Sequence, residues 1–224
     1  PRQYLTRIAQ TQQESGYPYV MFIDTANKDH VLKDKGIIKM SNLCCEIFQY
    51  QTPSDIQGYG GNNNWGQDIS CNLGSLNIAN IMKNKDIENV VDVAIRSLSI
   101  VSDKTNIKEV PTVANGNNAS HAVGLGAMNL HGYLMKENIL YTSEDAIDFA
   151  NVFFALVRYY AIKSSMNLSI EKGKTFEGFE KSEYAKGRNS DVLGKYYEEE
   201  FLPKSEKVKK LFEGIYIPTK YDWA

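Results

Sequence analysis

Apolar residues recur at helical spacing in two long stretches of the chain. Ile87, Val90, Val91, Ala94, Leu98 and Val101 follow the i, i+3, i+4 pattern and predict an amphipathic helix over residues 86–103. Thr142-Ser143-Glu144-Asp145 reads as a capped start, and the periodic run to Glu171, stopping near Gly173, predicts the longest helix. Shorter helical patterns cover residues 4–14, where Leu5, Ile8 and Ala9 precede Gly16 and Pro18, and the start of a helix at 77–82. Residues 121–135 also read as a helix, with Gly124, Gly126 and Ala127 letting a neighbour approach. Short helical pieces are expected around 181–185 and 205–212.

Between these lie extended and irregular segments. Tyr19-Val20-Met21-Phe22-Ile23 predicts a buried strand, followed by a polar connection over 24–36. Residues 42–50 are extended in character, 71–76 read as a strand or turn, and 114–120 as a polar hinge. Residues 57–68, with four Gly and three consecutive Asn, predict a loop. No repeat, low-complexity tract or linker divides the chain, so residues 1–224 are expected to form one helix-rich α/β unit.

Charge narrows the functional classes. With 25 Lys+Arg against 27 Asp+Glu and a net charge of -2, the chain offers no basic surface for a polyanion, and nucleic acid is not an expected partner. No apolar run reaches the roughly 18 to 20 residues that span a bilayer, so no membrane association is expected. Pro1-Arg2-Gln3-Tyr4 leads into polar sequence rather than a secretory signal. Cys44, Cys45 and Cys71 are odd in number and two are adjacent, which argues against a secreted disulfide framework and for the cytoplasm. There is no C-x-x-C, and His30, His121 and His131 stand at no spacing that completes a zinc site, so no metal is expected.

The stretch richest in chemistry is Ser41-Asn42-Leu43-Cys44-Cys45-Glu46-Ile47. In an extended segment alternate side chains share a face, so Asn42, Cys44 and Glu46 would project together while Leu43, Cys45 and Ile47 turn into packing. A carboxylate beside a thiol favours S–H over thiolate, the wrong tuning for a nucleophile but a suitable one for a hydrogen-atom donor. The same alternation also suits a plain strand with a polar exposed face.

This segment, followed by Asp68-Ile69-Ser70-Cys71-Asn72-Leu73-Gly74-Ser75-Leu76-Asn77, resembles the large catalytic subunit of class I ribonucleotide reductase, closest to the class Ib branch. Flanking pieces agree: Glu14-Ser15-Gly16-Tyr17-Pro18-Tyr19, Ala122-Val123-Gly124-Leu125-Gly126-Ala127-Met128-Asn129-Leu130-His131-Gly132-Tyr133-Leu134, and Gly173-Lys174-Thr175-Phe176. The resemblance spans essentially the whole chain.

It implies a fold that is part of a ten-stranded α/β barrel, with residues 41–47 on the loop inside it. It implies that Cys44 forms the thiyl that removes the 3′ hydrogen of a ribonucleoside diphosphate. Asn42 and Glu46 would hydrogen-bond the ribose hydroxyls, with Glu46 accepting the 3′-hydroxyl proton. Cys71 would belong to a redox pair whose partner lies outside this chain. Leu43 and Cys45 fall in the substrate-lining segment, and Cys45 is given no chemical role. No cofactor is expected on the chain itself. A metal-containing small subunit would supply the radical, and a thioredoxin- or glutaredoxin-like dithiol the electrons.

The sequence looks like the middle of such a subunit. The specificity-effector site, the phosphate-cradling loop, the relay tyrosines and the C-terminal reducing cysteines have no counterpart in it, so activity is expected only with the remaining parts of the large subunit. The alternative is a non-catalytic structural or interaction fragment of the same fold. Other motifs read as packing. Gly124-x-Gly126 lacks the third glycine of a dinucleotide fingerprint, Asn72-Leu73-Gly74-Ser75 suits a turn and helix cap, and His131 suits a packed or hydrogen-bonded position. Phe149, Phe153, Phe154, Tyr159 and Tyr160 suit core positions on the long helix.

Overall fold

The computed structural model describes residues 1–105, 107–220 and 222. Its centre is a helix pair. α4 (Ile87–Lys104) starts at Asp86, whose carboxylate accepts the Asn89 N–H, and buries Ile87, Val91, Ile95 and Leu98 along one stripe. α7 (Glu144–Lys172) starts at Ser143, which accepts the Ala146 N–H, and ends where Gly173 takes φ 64°. α7 lies against α4 and is stitched to it by polar contacts. Ser164 Oγ donates to Asp92 at 2.6 Å, Arg96 donates to both oxygens of Glu171 at 2.8 and 2.7 Å, and Lys163 reaches Glu88 at 2.7 Å. The Arg96–Glu171 and Lys163–Glu88 pairs are exposed enough to contribute less than about 1 kcal/mol each, so they set register more than stability, whereas Ser164 is buried.

Stability comes from apolar burial. Phe149 and Phe153 of α7 stack at 5.8 Å between ring centroids, and Phe149 also meets Tyr133 and Phe212. Around them close Ile78, Ile81 and Met82 of α3 (Ile78–Asn84), Leu134 of α6 (Leu130–Lys136) and Val208 of α10 (Glu206–Leu211). Each such side chain contributes about 1.5–3 kcal/mol. Asp148 on α7 accepts the backbone N–H groups of Lys204 and Ser205, which fixes the start of α10. Phe149, Phe153 and Tyr160 are core, as their spacing predicts, whereas Phe154 is exposed.

Beside the helix pair runs a parallel two-stranded sheet. β1 (Leu73–Asn77) pairs with β2 (Gly124–Met128) in the register Leu73↔Gly124 to Asn77↔Met128. α3, α4 and α5 (Pro111–Ser120) form the crossover between them. Asn77 both ends β1 and caps α3, accepting the Asn80 N–H. α1 (Arg2–Ser15) and α2 (Ile23–Asp29) precede the sheet. After α7 come two 3₁₀ turns, Phe179–Lys181 and Gly187–Asn189, and the short helices α8 (Glu183–Lys186) and α9 (Lys195–Glu198).

Four sequence expectations are corrected. Residues 19–22 form no strand; they are irregular and mostly exposed, Phe22 at 77%, and α2 begins at Ile23, the last residue of the expected strand, and runs into the expected polar connection. A β-prone run becomes a strand only where a neighbour completes its ladder. Residues 114–120 are not a hinge but most of α5, because buried Asn117 finds tertiary partners for its amide. Residues 121–135 are not one helix: Gly124, Gly126 and their neighbours pair with β1, and Asn129 at φ 67° turns the chain into α6. The glycines therefore serve a strand. A Cβ on Gly124 would fall 2.6 Å from Leu73 Cδ2 on the paired residue. The fourth correction concerns residues 42–50 and shapes the site.

Candidate thiol site

Residues 42–45 form a turn rather than a continuous extended run. The Cys45 N–H donates to the Asn42 carbonyl at 3.1 Å, and Cys45 takes φ 59°. A left-handed residue with a Cβ costs about 1–2 kcal/mol, which the bonds around it must offset. Those bonds come from the Asn42 side chain. Its Oδ1 accepts the Glu46 N–H at 3.1 Å and the Ile47 N–H at 3.0 Å, the local pairing by which Asn competes with strand ladders. Ser41 Oγ closes the loop by donating to the Ile47 carbonyl at 2.6 Å.

The expected two-faced arrangement is partly kept. Cys44 and Glu46 are exposed while Cys45 and Ile47 are half-buried, but Leu43, expected in packing, is 82% exposed at the tip. Asn42 is half-buried and points elsewhere: its Nδ2 donates to Cys71 Sγ at 3.2 Å. Two motifs distant in sequence thus meet through one carboxamide. Cys44, Cys45 and Cys71 are all free thiols.

Cys71 is rigidly presented. Ser70 Oγ donates to Asn117 Oδ1 at 2.8 Å. Asn72 donates to the Ala122 carbonyl at 3.2 Å and accepts the Gly124 N–H on its own carbonyl at 2.9 Å. Asn117 in turn donates to the Thr105 carbonyl at 3.1 Å. α5 approaches closely enough that a Cβ on Gly116 would fall 1.7 Å from the Asp68 carbonyl oxygen.

The leg entering the turn is held from two sides. Asn27 on α2 brackets the fully buried Ile38, donating to its carbonyl at 2.8 Å and accepting its N–H at 2.7 Å. Residues 31–35 are clamped by the segment after α7. The Glu183 N–H donates to the Val31 carbonyl, and the buried Glu183 carboxylate meets Lys186 at 2.7 Å, Ser190 at 2.6 Å and Lys33 at 3.5 Å. Burial alone would push this carboxyl up. Hydrogen bonds from Lys186 and Ser190, with the Lys33 and Lys186 charges, outweigh it and hold the carboxyl at about 2.

The leg leaving the turn passes into a hairpin marked by the bridges Thr52↔Gln67 and Asp55↔Asn64, with the Gly- and Asn-rich loop at its tip. Between this hairpin, α5 and the segment after α7 lies a cleft of about 450 Å³, lined by Trp65, Gln67, Asn115, Lys174 and Glu177 among others. His131 is exposed and packs edge-on against Tyr141. Among the described residues there is no cluster of three metal-ligating side chains, and no helix is long and apolar enough to cross a membrane.

Asn27, Asn117 and Glu183 were not anticipated. The only sequence signal for Asn117 is its place in a polar, Asn-rich run, and Glu183 lies among ordinary surface charges.

The family model described as ribonucleotide reductase, barrel domain, matches residues 1–224. Ribonucleoside-diphosphate reductase subunit alpha of Bacillus subtilis is 48% identical over 223 residues, which is 100% of this chain and 31% of that protein. Its Mycoplasma pneumoniae counterpart is 44% identical, covering 99% of this chain and 31% of that protein. The chain therefore spans about a third of the length of these relatives. The solved structure of the Actinobacillus ureae class Id ribonucleotide reductase alpha subunit superposes with a TM-score of 0.60 at 22% identity. It covers 87% of this chain and 34% of that one, a likeness of fold. A helix-rich α/β segment matched from its first residue to its last belongs to the ribonucleotide reductase barrel-domain family.

Proposed function

We propose that residues 1–224 act as one unit of the catalytic barrel of a ribonucleoside-diphosphate reductase large subunit and carry its radical cysteine. Cys44, as a thiyl, takes the 3′ hydrogen from the ribose of a ribonucleoside diphosphate. Glu46 accepts the 3′-hydroxyl proton while Asn42 orients the sugar, with Leu43 and Cys45 beside it. The 2′ hydroxyl leaves as water, taking a proton from the redox pair of Cys71 and a thiol outside this chain. That pair gives up two electrons and two protons in all and closes to a disulfide, and Cys44 returns the hydrogen to C3′. The sum is diphosphate plus two thiols giving deoxy product, water and a disulfide.

The radical reaches Cys44 from a metal-containing small subunit, and a thioredoxin- or glutaredoxin-like dithiol reopens the disulfide. The rest of the large subunit completes the barrel, and the setting is the cytoplasm. The observation that supports this reading is the 3.2 Å contact between Asn42 Nδ2 and Cys71 Sγ, which joins the two thiol-bearing motifs. The test is deoxynucleoside diphosphate formation by a full-length subunit carrying this segment, with its small subunit and a dithiol. Cys44→Ser and Cys71→Ser should each abolish dithiol-driven turnover. Full turnover by Cys44→Ser would favour a non-catalytic role for the turn.

A further inference from the structure

We propose that Asn42 is a positioning residue whose carboxamide ties the oxidation state of Cys71 to the shape of the turn bearing Cys44 and Glu46. That Cys71 is oxidised during function rests on the reading above; the linkage itself rests on geometry. An Asn side chain has two acceptor lone pairs and two N–H donors. Both lone pairs of Asn42 are used within the turn, on the Glu46 and Ile47 N–H groups, with the Ser41 hydroxyl also 3.2 Å from Oδ1, and one donor is used on Cys71 Sγ. The carboxamide is planar, so its bonds to Glu46, Ile47 and Cys71 cannot be adjusted separately.

The two ends of this link differ in stiffness. The backbone around Cys71 is pinned through Ser70, Asn72 and Asn117, so a change at the sulfur is not absorbed by its own chain. The turn is the softer end, with Leu43 and Cys44 exposed and Cys45 in a left-handed conformation. A reduced sulfur accepts from Nδ2. A sulfur joined to a second sulfur is a poorer acceptor and turns toward its new partner. Losing that bond frees the carboxamide to rotate, which weakens both backbone bonds at Glu46 and Ile47 together. Reduced Cys71 thus holds the turn in shape to receive substrate, and oxidised Cys71 slackens it when product must leave.

The test is rapid hydrogen–deuterium exchange at the Glu46 and Ile47 amides, read by mass spectrometry on the full-length subunit, reduced with dithiothreitol or oxidised with diamide. A net hydrogen bond corresponds to an increase of about two- to tenfold when lost. Oxidation should raise exchange by that amount, and Cys71→Ala should reproduce it under reducing conditions. Cys71→Ser, which keeps an acceptor but cannot be oxidised, should keep protection and ignore diamide. In Asn42→Ala exchange should be fast from the start and unresponsive to oxidation. Equal exchange in reduced and oxidised protein, or an oxidation response that persists in Asn42→Ala, would overturn the linkage. The readout needs no turnover, so an inert linkage alongside an inactive Cys44→Ser would leave the proposed function standing.

Discussion

Tyr50 occupies the space that a side chain on residue 36 would need: a Cβ at Gly36 would lie 2.0 Å from Tyr50 Cε2. The two legs of the thiol turn are therefore in contact below it, and Lys35 Nζ stands 5.5 Å from the centre of the same ring. Gly36→Ala should displace the ring and destabilise the chain by about 1–3 kcal/mol, the usual cost of overpacking. A shift of the urea midpoint at unchanged slope would register it. Gly36→Ala with Tyr50→Leu should recover part of the loss.

Glu183 is fully buried yet ionised, with its carboxyl held at about 2, below the ordinary 4.5. A depressed carboxyl contributes stability that is present above the unfolded value and disappears as pH falls through the folded one. Denaturation midpoints should therefore drop between about pH 5 and pH 2, and Glu183→Gln should flatten that part of the profile. Near neutral pH, Glu183→Ala should cost about 2–3 kcal/mol, under the usual range for a broken buried pair, because Lys33 and Lys186 keep Asp191 and Asp34. An unchanged acid limb in Glu183→Gln would assign the transition to other groups.

Asn117 is the hub behind Cys71, accepting from Ser70 and Asn72 and donating to the Thr105 carbonyl. Asn117→Ala leaves buried polar groups unpaired and should cost about 1–3 kcal/mol. It should also free the Cys71 segment, raising the alkylation rate of Cys71 measured on its own peptide relative to Cys44. Equal rates in variant and parent would mean that Cys71 is presented without its help.

What was legible beforehand divides along the range of the forces involved. α4 and α7 could be read because periodic burial and, for α7, the signals at Ser143 and Gly173 act within one helix, and α1, which buries nothing, was legible from its local spacing and the stop at Gly16. α5 and β2 could not, because what decides them is tertiary: Asn117 satisfied by Ser70 and Thr105, and Gly124 fitted against Leu73. The thiol motif was visible as residue types, and alternation put Cys44 and Glu46 on the exposed side correctly. It failed at Leu43 because the Asn42 side chain bends the segment through bonds to Glu46 and Ile47. An Asn side chain that bonds its own nearby backbone is a turn signal, and here it outweighed the β character of the residues that follow.

The adjacent thiols offer the most direct test. In a full-length subunit supplied with its small subunit and dithiol, deoxynucleoside diphosphate formation is measured for Cys44→Ser, Cys45→Ser and Glu46→Gln. Cys44→Ser should be inactive while still binding nucleotide, since an O–H bond is too strong to replace the thiol. Glu46→Gln keeps shape but loses the proton acceptor, so the rate should fall far more than binding weakens. Cys45→Ser, at a half-buried position in the turn, should remain active with a modest loss of stability. An inactive Cys45→Ser beside an active Cys44→Ser would contradict the assignment of the radical position and of the residues grouped around it.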